Sequence, residues 1–385
     1  MAYYITNDST MIKKLNFIAF LLLIFIGFVA CSDSGTSPEV VEEQEYPALE
    51  SINFETEIGT ERTNVIDAEL ASNGVVILGA YKDLDSSCLG MKLFLLKVSF
   101  DGEELWKRKY SDINVSKCDD LDLVTTDADE VVIFAAARDA ENIRKFDYHV
   151  YKFTTAGDLM WEQTIDYSDN DRFISGTHKA NGEIVAYPYE FGSGTFRKVT
   201  LDTNGNILED IENPSFTYNH FNIIHTPSRK KIYTSPNDGG TDLKVYDRNL
   251  QLLSELNIPL AVSYLNEAQG SENGYFAYSG DLLKLDSNFE TEWSYSPEYS
   301  HSHISPASIA EHKYAIMEER SFSPGSYTAY VISVIGTGGQ ILSRNIIEHN
   351  GNYPTVRKVL SRGNNDAIVV YHLGLNAGIN IYQQQ

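Results

Sequence analysis

Residues 98–106 read VSFDGEELW: an apolar strand end, a turn at Asp101-Gly102, and a second run that finishes on Trp106. The same nine-residue pattern returns as FTTAGDLMW from Phe153, LDTNGNILE from Leu201, YDRNLQLLS from Tyr246, LDSNFETEW from Leu285 and IGTGGQILS from Ile335. Its starts lie 55, 48, 45, 39 and 50 residues apart. A period of that size marks a repeat architecture, in which one unit cannot bury its own faces and must stack on the next. The turn positions are Asp101-Gly102, Ala156-Gly157, Asn204-Gly205, Asn249-Leu250, Asn288-Phe289 and Gly338-Gly339. Gly and Asn tolerate the positive φ of two-residue hairpins, so tight hairpins are expected at each.

Upstream of each hairpin lies a short apolar run: Val75 to Leu78, Val131 to Phe134, Ile184 to Ala186, Ile232 to Tyr233, Tyr275 to Ala277 and Tyr314 to Ile316, with a seventh at Ala367 to Val370. Polar turns such as Ser72-Asn73-Gly74 and Glu272-Asn273-Gly274 precede these runs, and another short strand comes before each turn. Four antiparallel strands in about 45 residues make one blade of a β-propeller. The expected fold class is therefore all-β, a propeller of seven four-stranded blades, with six or eight as alternatives. The seventh unit stops after its third strand, Gly378 to Tyr382, while Ser51 to Ile58 (SINFETEI) has no partners in its own unit. That N-terminal segment is expected to supply the missing strand and close the ring, which removes an open sheet edge.

Composition agrees. The chain has 385 residues, 24 Tyr and 18 Phe but only 5 Met, and aromatic side chains favour pleated, half-buried surfaces. With 30 basic and 54 acidic residues the net charge is −24. Such a surface repels polyanions, so no nucleic-acid partner is expected.

At the N-terminus, Lys13-Lys14 precede an apolar or small run from Phe17 to Ala30, followed directly by Cys31. The run is shorter than the ~20 residues of a membrane span and has the flanks of an exported precursor. Residues 1–30 are read as a signal peptide whose true start is Met11, because MAYYITNDST fits no part of one. The end of the run, Phe28-Val29-Ala30-Cys31, resembles the lipobox of bacterial lipoproteins. The resemblance implies diacylglyceryl attachment to the Cys31 thiol, cleavage before it, and acylation of the new amino terminus. Residues 31–48, including SDSGTSPEVVEEQEYP, cannot bury enough apolar surface to offset ordering and are read as an acidic flexible tether. Residues 49–385 form the propeller. The expected location is the bacterial cell envelope, at the outer membrane, on its periplasmic or surface-exposed face.

The hairpin-to-tryptophan motifs FDGEELW, TAGDLMW and SNFETEW resemble repeats of the quinoprotein-like propellers, a group holding both quinone-dependent dehydrogenases and non-enzymatic envelope lipoproteins. The likeness spans most of residues 98 to 345; Trp106, Trp161 and Trp293 match the aromatic position, and Glu209, Ser254 and Ser343 replace it. It implies fold and does not carry function across. There is no adjacent cysteine pair of the kind that enzyme group implies, so no cofactor is expected, and the tryptophans are assigned to blade packing.

Cys88 and Cys118 are the cysteines left after lipidation, either bridged or free. His301-Ser302-His303, His220 and His225 lack the converging ligands a metal needs, and the acidic clusters lack the EF-hand pattern, so no metal site is expected. Asp119, Asp171, His220 and His303 all stand near the starts of opening strands, which surround the channel of a propeller, and are the candidate channel-mouth binding residues. No catalytic residue is assigned. The expected function is a lipid-anchored, non-catalytic binding or scaffold module for an envelope protein or glycan, as a monomer or in a hetero-complex. The competing class is an extracytoplasmic hydrolase or lyase acting on an extracellular polymer.

Overall fold

A computed structural model describes residues 49–383, apart from 60–61, 83–90, 116–120, 139–145, 168–170, 191–194, 213–221, 226–230, 238–239, 248–250, 259–263, 269–273, 279, 297–305, 311–312, 322–327, 348–353 and 363–365. All described elements are strands. The first, β1, is Glu50–Glu57. Sheet 1 holds β2 (Arg62–Ala71), β3 (Gly74–Lys82), β4 (Met91–Ser99) and β5 (Glu104–Val115); sheet 2 holds β6 (Leu121–Thr125), β7 (Val131–Arg138), β8 (Phe146–Phe153) and β9 (Leu159–Ile165). Sheet 3 has β10 (Asp171–His178), β11 (Ile184–Glu190), β12 (Thr195–Leu201) and β13 (Ile207–Glu212). Sheet 4 has β14 (Asn222–His225), β15 (Lys231–Asn237), β16 (Gly240–Tyr246) and β17 (Leu252–Ile258). Sheet 5 has β18 (Tyr264–Ala268), β19 (Gly274–Tyr278), β20 (Leu282–Asp286) and β21 (Thr291–Tyr295). Sheet 6 has β22 (Ala307–Ala310), β23 (Lys313–Ser321), β24 (Thr328–Ile335) and β25 (Ile341–Ile347). Sheet 7 has β26 (Thr355–Leu360), β27 (Asp366–Leu373) and β28 (Asn376–Gln383), and β1 pairs antiparallel with β28 from Glu50↔Gln383 to Glu57↔Asn376.

The seven apolar runs read from the sequence all fall on second strands, from Val75 to Leu78 in β3 to Ala367 to Val370 in β27. A continuous apolar run is what a strand covered on both faces requires. The covering comes from the neighbouring sheet. Leu93 and Leu95 of sheet 1 share a core with Leu123 and Ile133 of sheet 2, and Val132 and Phe134 of sheet 2 share one with Ile184 and Val199 of sheet 3. Beyond the contact of β10 with β14, further cores join sheets 4 and 5 through Val245 and Leu285, 5 and 6 through Phe276 and Tyr314, and 6 and 7 through Ile332 and Val369. Ile368 and Ile379 of sheet 7 pack with Val75 and Ile77 of sheet 1.

The hairpins between third and fourth strands correct one expectation. In sheets 1, 2, 3, 5 and 6 they are not two-residue turns, while Asn249-Leu250 of sheet 4 lies outside the described residues. Ser99 O accepts from Gly102 N at 3.1 Å while Ser99 N donates to Glu103 O at 2.8 Å, and the pattern repeats at Thr154, Asp202, Asp286 and Gly336. At Ser99, Thr154, Asp202 and Asp286 this is a type I turn closed by one residue at positive φ, whereas at Gly336 both Gly338 and Gly339 have positive φ; a bulge follows at the start of the fourth strand, as the register shift between Lys152 and Phe153 shows. The residue before the turn holds it together: Asp202 Oδ1 accepts from Asn204 N and Asn206 N, both at 2.8 Å, and Thr154 Oγ1 accepts from Ala156 N and Asp158 N. A short oxygen-bearing side chain at that place mimics backbone turn geometry.

The tryptophans lock each sheet to its successor, as expected for packing. Trp106 Nε1 donates to Thr155 O in the hairpin of sheet 2 at 2.9 Å, and Trp161 Nε1 donates to Thr203 O in that of sheet 3 at 3.0 Å. The indole lies flat on the turn glycine: a Cβ at Gly157 would stand 2.9 Å from Trp106, and one at Gly205 2.8 Å from Trp161. Trp293 lies more loosely against Gly339, its ring 3.5 Å from where a Cβ would stand. Where sheet 4 offers Ser254 instead of Trp, the hairpin of sheet 5 carries Phe289 in the glycine's place, at φ 65°, stacked on Tyr275 at 4.2 Å. In sheet 7 the equivalent partner comes from β1, whose Ile52 faces Gly102.

Candidate functional site

The opening strands β26, β2, β6 and β10 are stitched into a continuous polar belt. Lys358 Nζ on β26 donates to Asp67 Oδ1 at 2.7 Å and Glu69 Oε1 at 2.8 Å on β2. Asp67 Oδ2 accepts from Leu123 N on β6 at 3.3 Å. Beside it, Asp122 Oδ2 accepts from Ser175 Oγ at 2.8 Å and Gly176 N at 3.0 Å on β10. Thr125 Oγ1 adds a bond to Leu70 O at 2.8 Å. These carboxylates cover main-chain N–H groups on the free edges of the next opening strand, which would otherwise lack strand partners.

Local geometry explains how these side chains are aimed. The opening strands carry β-bulges between Val65 and Asp67, Phe173 and Ser175, and Val356 and Lys358. Asp67, Ser175 and Lys358 each follow the extra residue directly. A bulge bends its strand and re-aims the next side chain, so strict alternation could not have placed them.

The electrostatics follow from crowding and partners. Burial, then the nearby Asp67 carboxylate, pushes the Asp122 carboxyl up to about 7 despite its two donors. Burial opposes the charge on Lys358, but Asp67 and Glu69 outweigh it and hold the ammonium well above the ordinary lysine range. His372 on β27 moves the opposite way: burial first, then Arg357 and Arg62, lower its imidazole to about 4, and its Nδ1 accepts from Val65 N at 3.3 Å. Lys358 is thus a fixed cation rather than a nucleophile, and His372 is a neutral ring already engaged by the backbone. Donors and acceptors of the belt are committed to protein groups, which is the chemistry of a clasp between sheets.

Of the residues singled out in the sequence, Asp171 opens β10 opposite Glu190. Asp119, His220 and His303 lie outside the described residues, as do Cys31, Cys88 and Cys118. Among the described residues no group of three His, Cys, Asp or Glu side chains is placed to hold a metal ion. The belt itself was missed. The available signal was the pair Asp67 and Glu69, carboxylates alternating with apolar residues in the second half of β2, VIDAELA.

Among the described residues, seven four-stranded antiparallel sheets built from one repeating unit, most of them sharing an apolar core with the next, make the fold a β-propeller. No family model and no curated protein matches its sequence. Among solved structures the fold is similar to virginiamycin B lyase from Staphylococcus aureus, in a catalytically inactive form with quinupristin, at 11% identity over 87% of this chain and 100% of that one, TM-score 0.55. A selenomethionine-substituted form of the same lyase shares 13% identity over 87% of this chain and all of that one, TM-score 0.54. A streptogramin B lyase structure matches at 11% identity, 86% and 98% coverage and TM-score 0.54. At such identity the likeness is one of fold.

Proposed function

We propose that the chain is an exported, lipid-anchored propeller that serves the bacterial envelope as a non-catalytic binding or scaffold module for a protein or glycan partner. In this reading residues 1–30 are a cleaved signal, Cys31 carries the lipid, and residues 31–48 are the tether. The seven sheets are the blades of one ring closed by the β1–β28 pairing. The observation that carries the binding role is the engagement of the inner-strand ionisable groups: Lys358, Asp67 and Asp122 are bonded to protein groups rather than presented to a substrate. General acid–base or nucleophilic catalysis needs such groups within reach of a reacting atom.

The test is chemical crosslinking of the intact lipidated protein in its native envelope, followed by mass spectrometry. Recovery of one stoichiometric partner supports the module. Recovery of none, together with turnover in a polysaccharide and peptide screen, replaces it with an extracytoplasmic hydrolase or lyase. Anchoring is tested separately: radiolabelled palmitate is incorporated into the wild type and lost in Cys31→Ser, and a labelled variant sinks the lipid reading.

A further inference from the structure

The outer strands of three successive sheets share an unusual surface. Leu159-Met160 in β9, Ile207-Leu208 in β13 and Leu252-Leu253 in β17 occupy the same two places of the repeat, and all six side chains are 45 to 57% exposed. Two consecutive residues face outward because each outer strand is bulged there, the partner register passing from Leu159 to Trp161, from Ile207 to Glu209 and from Leu252 to Ser254. The stripe has ends. Sheet 1 carries Glu104-Leu105 at these places and sheet 5 carries Thr291-Glu292. Its first two steps are neighbours in space, since Trp161 lies on the hairpin that leads directly into Ile207. Edge strands ordinarily avoid exposed apolar pairs, because they invite association.

The charge around the stripe names the occupant. In sequence, segments 154–165, 202–212 and 247–258, which end in these outer strands, carry eight carboxylates and one arginine. Arg108, Lys198, Arg197 and Lys244 on neighbouring strands pair with Asp158, Glu209, Asp210 and Glu255, which fixes those carboxylates and offsets part of their charge, leaving an acidic excess in which Glu209 and Glu255 stay partly exposed. A second copy, itself at −24, and an anionic lipid surface are both repelled. We infer that the outer strands of sheets 2 to 4 form a docking stripe for a protein segment whose apolar face is flanked by lysine or arginine. This inference rests on the binding-module reading and names the partner's chemistry; apolar contacts supply affinity and the acidic rim supplies orientation and rate.

The probe is a synthetic leucine–lysine peptide patterned as an amphipathic helix, with a leucine–glutamate peptide of the same pattern as control, titrated into the full chain at physiological salt. Wild type is expected to bind the lysine peptide at least tenfold more tightly than the glutamate peptide. The variant L159S/M160S/I207S/L208S/L252S/L253S, which keeps every charge, should lose that binding tenfold or more. The milder E212K/E255K, which keeps every apolar residue, should lose it about threefold. Equal binding by wild type and the six-fold serine variant, or a preference for the glutamate peptide, overturns the stripe and leaves the envelope crosslinking result standing on its own. Serine-sensitive flotation with anionic phospholipid vesicles, or serine-sensitive dimerisation in sedimentation, also overturns it by giving the surface to a membrane or to a second copy.

Discussion

Lys358 is the residue on which the belt turns. Replacing it by Met leaves Asp67 and Glu69 facing each other, half-buried and without their shared cation. The expected loss lies between the ~1 kcal/mol of an exposed pair and the ~3 kcal/mol of a buried one, read as a lower urea midpoint with an unchanged slope. Two neighbouring groups give opposite pH signatures. Asp122 keeps its proton up to about pH 7 when folded, against an ordinary ~3.9 in the unfolded chain. Its contribution to stability is therefore complete below the unfolded value and is lost as pH rises through the folded one. Asp122→Asn keeps an acceptor for Gly176 N, and its melting temperature should gain on wild type as pH rises from about 4 to about 7. His372, lowered to about 4 from an ordinary ~6.5, contributes stability that is present above the unfolded value and lost as pH falls through the folded one. His372→Gln offers Oε1 to Val65 N and should gain on wild type from about pH 6.5 down to about pH 4. Melting curves for the three proteins across that range check both signs.

Between elements, the unit of design is an outer-strand side chain seated on the next sheet's turn. Trp occurs where that turn offers Gly157, Gly205 or Gly339, and Ser254 occurs where it offers Phe289. Gly157→Ala places a Cβ against the Trp106 ring at a φ of 81° and should cost about 1–3 kcal/mol. Trp106→Ala opens the seat and removes the bond to Thr155 O, a loss of about 2–4 kcal/mol. The double variant should lose less than the sum, and a double-mutant cycle by denaturant titration measures that coupling; simple additivity would show that indole and turn do not meet. The nine-residue pattern exposed the recurrence of these residues but not their pairing. A tryptophan and a glycine 51 positions apart carry no local mark of contact.

Across the molecule, β1 carries the N-terminal contribution to sheet 7, pairing with β28 and setting Ile52 against the first hairpin of sheet 1. Removing residues 49–57 should expose the apolar edge of β28 and replace one cooperative melting transition with a broader one at lower temperature; adding the ESINFETE peptide in trans should restore part of the loss, and an unchanged transition would deny β1 that role. The strands and their pairing order were legible because each is set within about ten residues by alternating or continuous apolar runs and by turn residues. Val75 to Leu78 announces a strand buried on both faces, and SINFETEI announces one lacking local partners. The turn class was misread, since Asp101-Gly102 fits a two-residue hairpin as readily as a bulged one and the choice rests on which N–H reaches Ser99 O. The belt was illegible for a sharper reason. Lys358 meets Asp67 across 291 positions and Ser175 meets Asp122 across 53, and bulges break the alternation that would have predicted where they point. The repeat, the strands and the unpaired terminal segment were readable from the residues in order, because those depend on local periodicity. Tertiary structure alone decided which charges meet, which indole covers which glycine and which apolar pairs remain outside, because those depend on stacking one unit against the next.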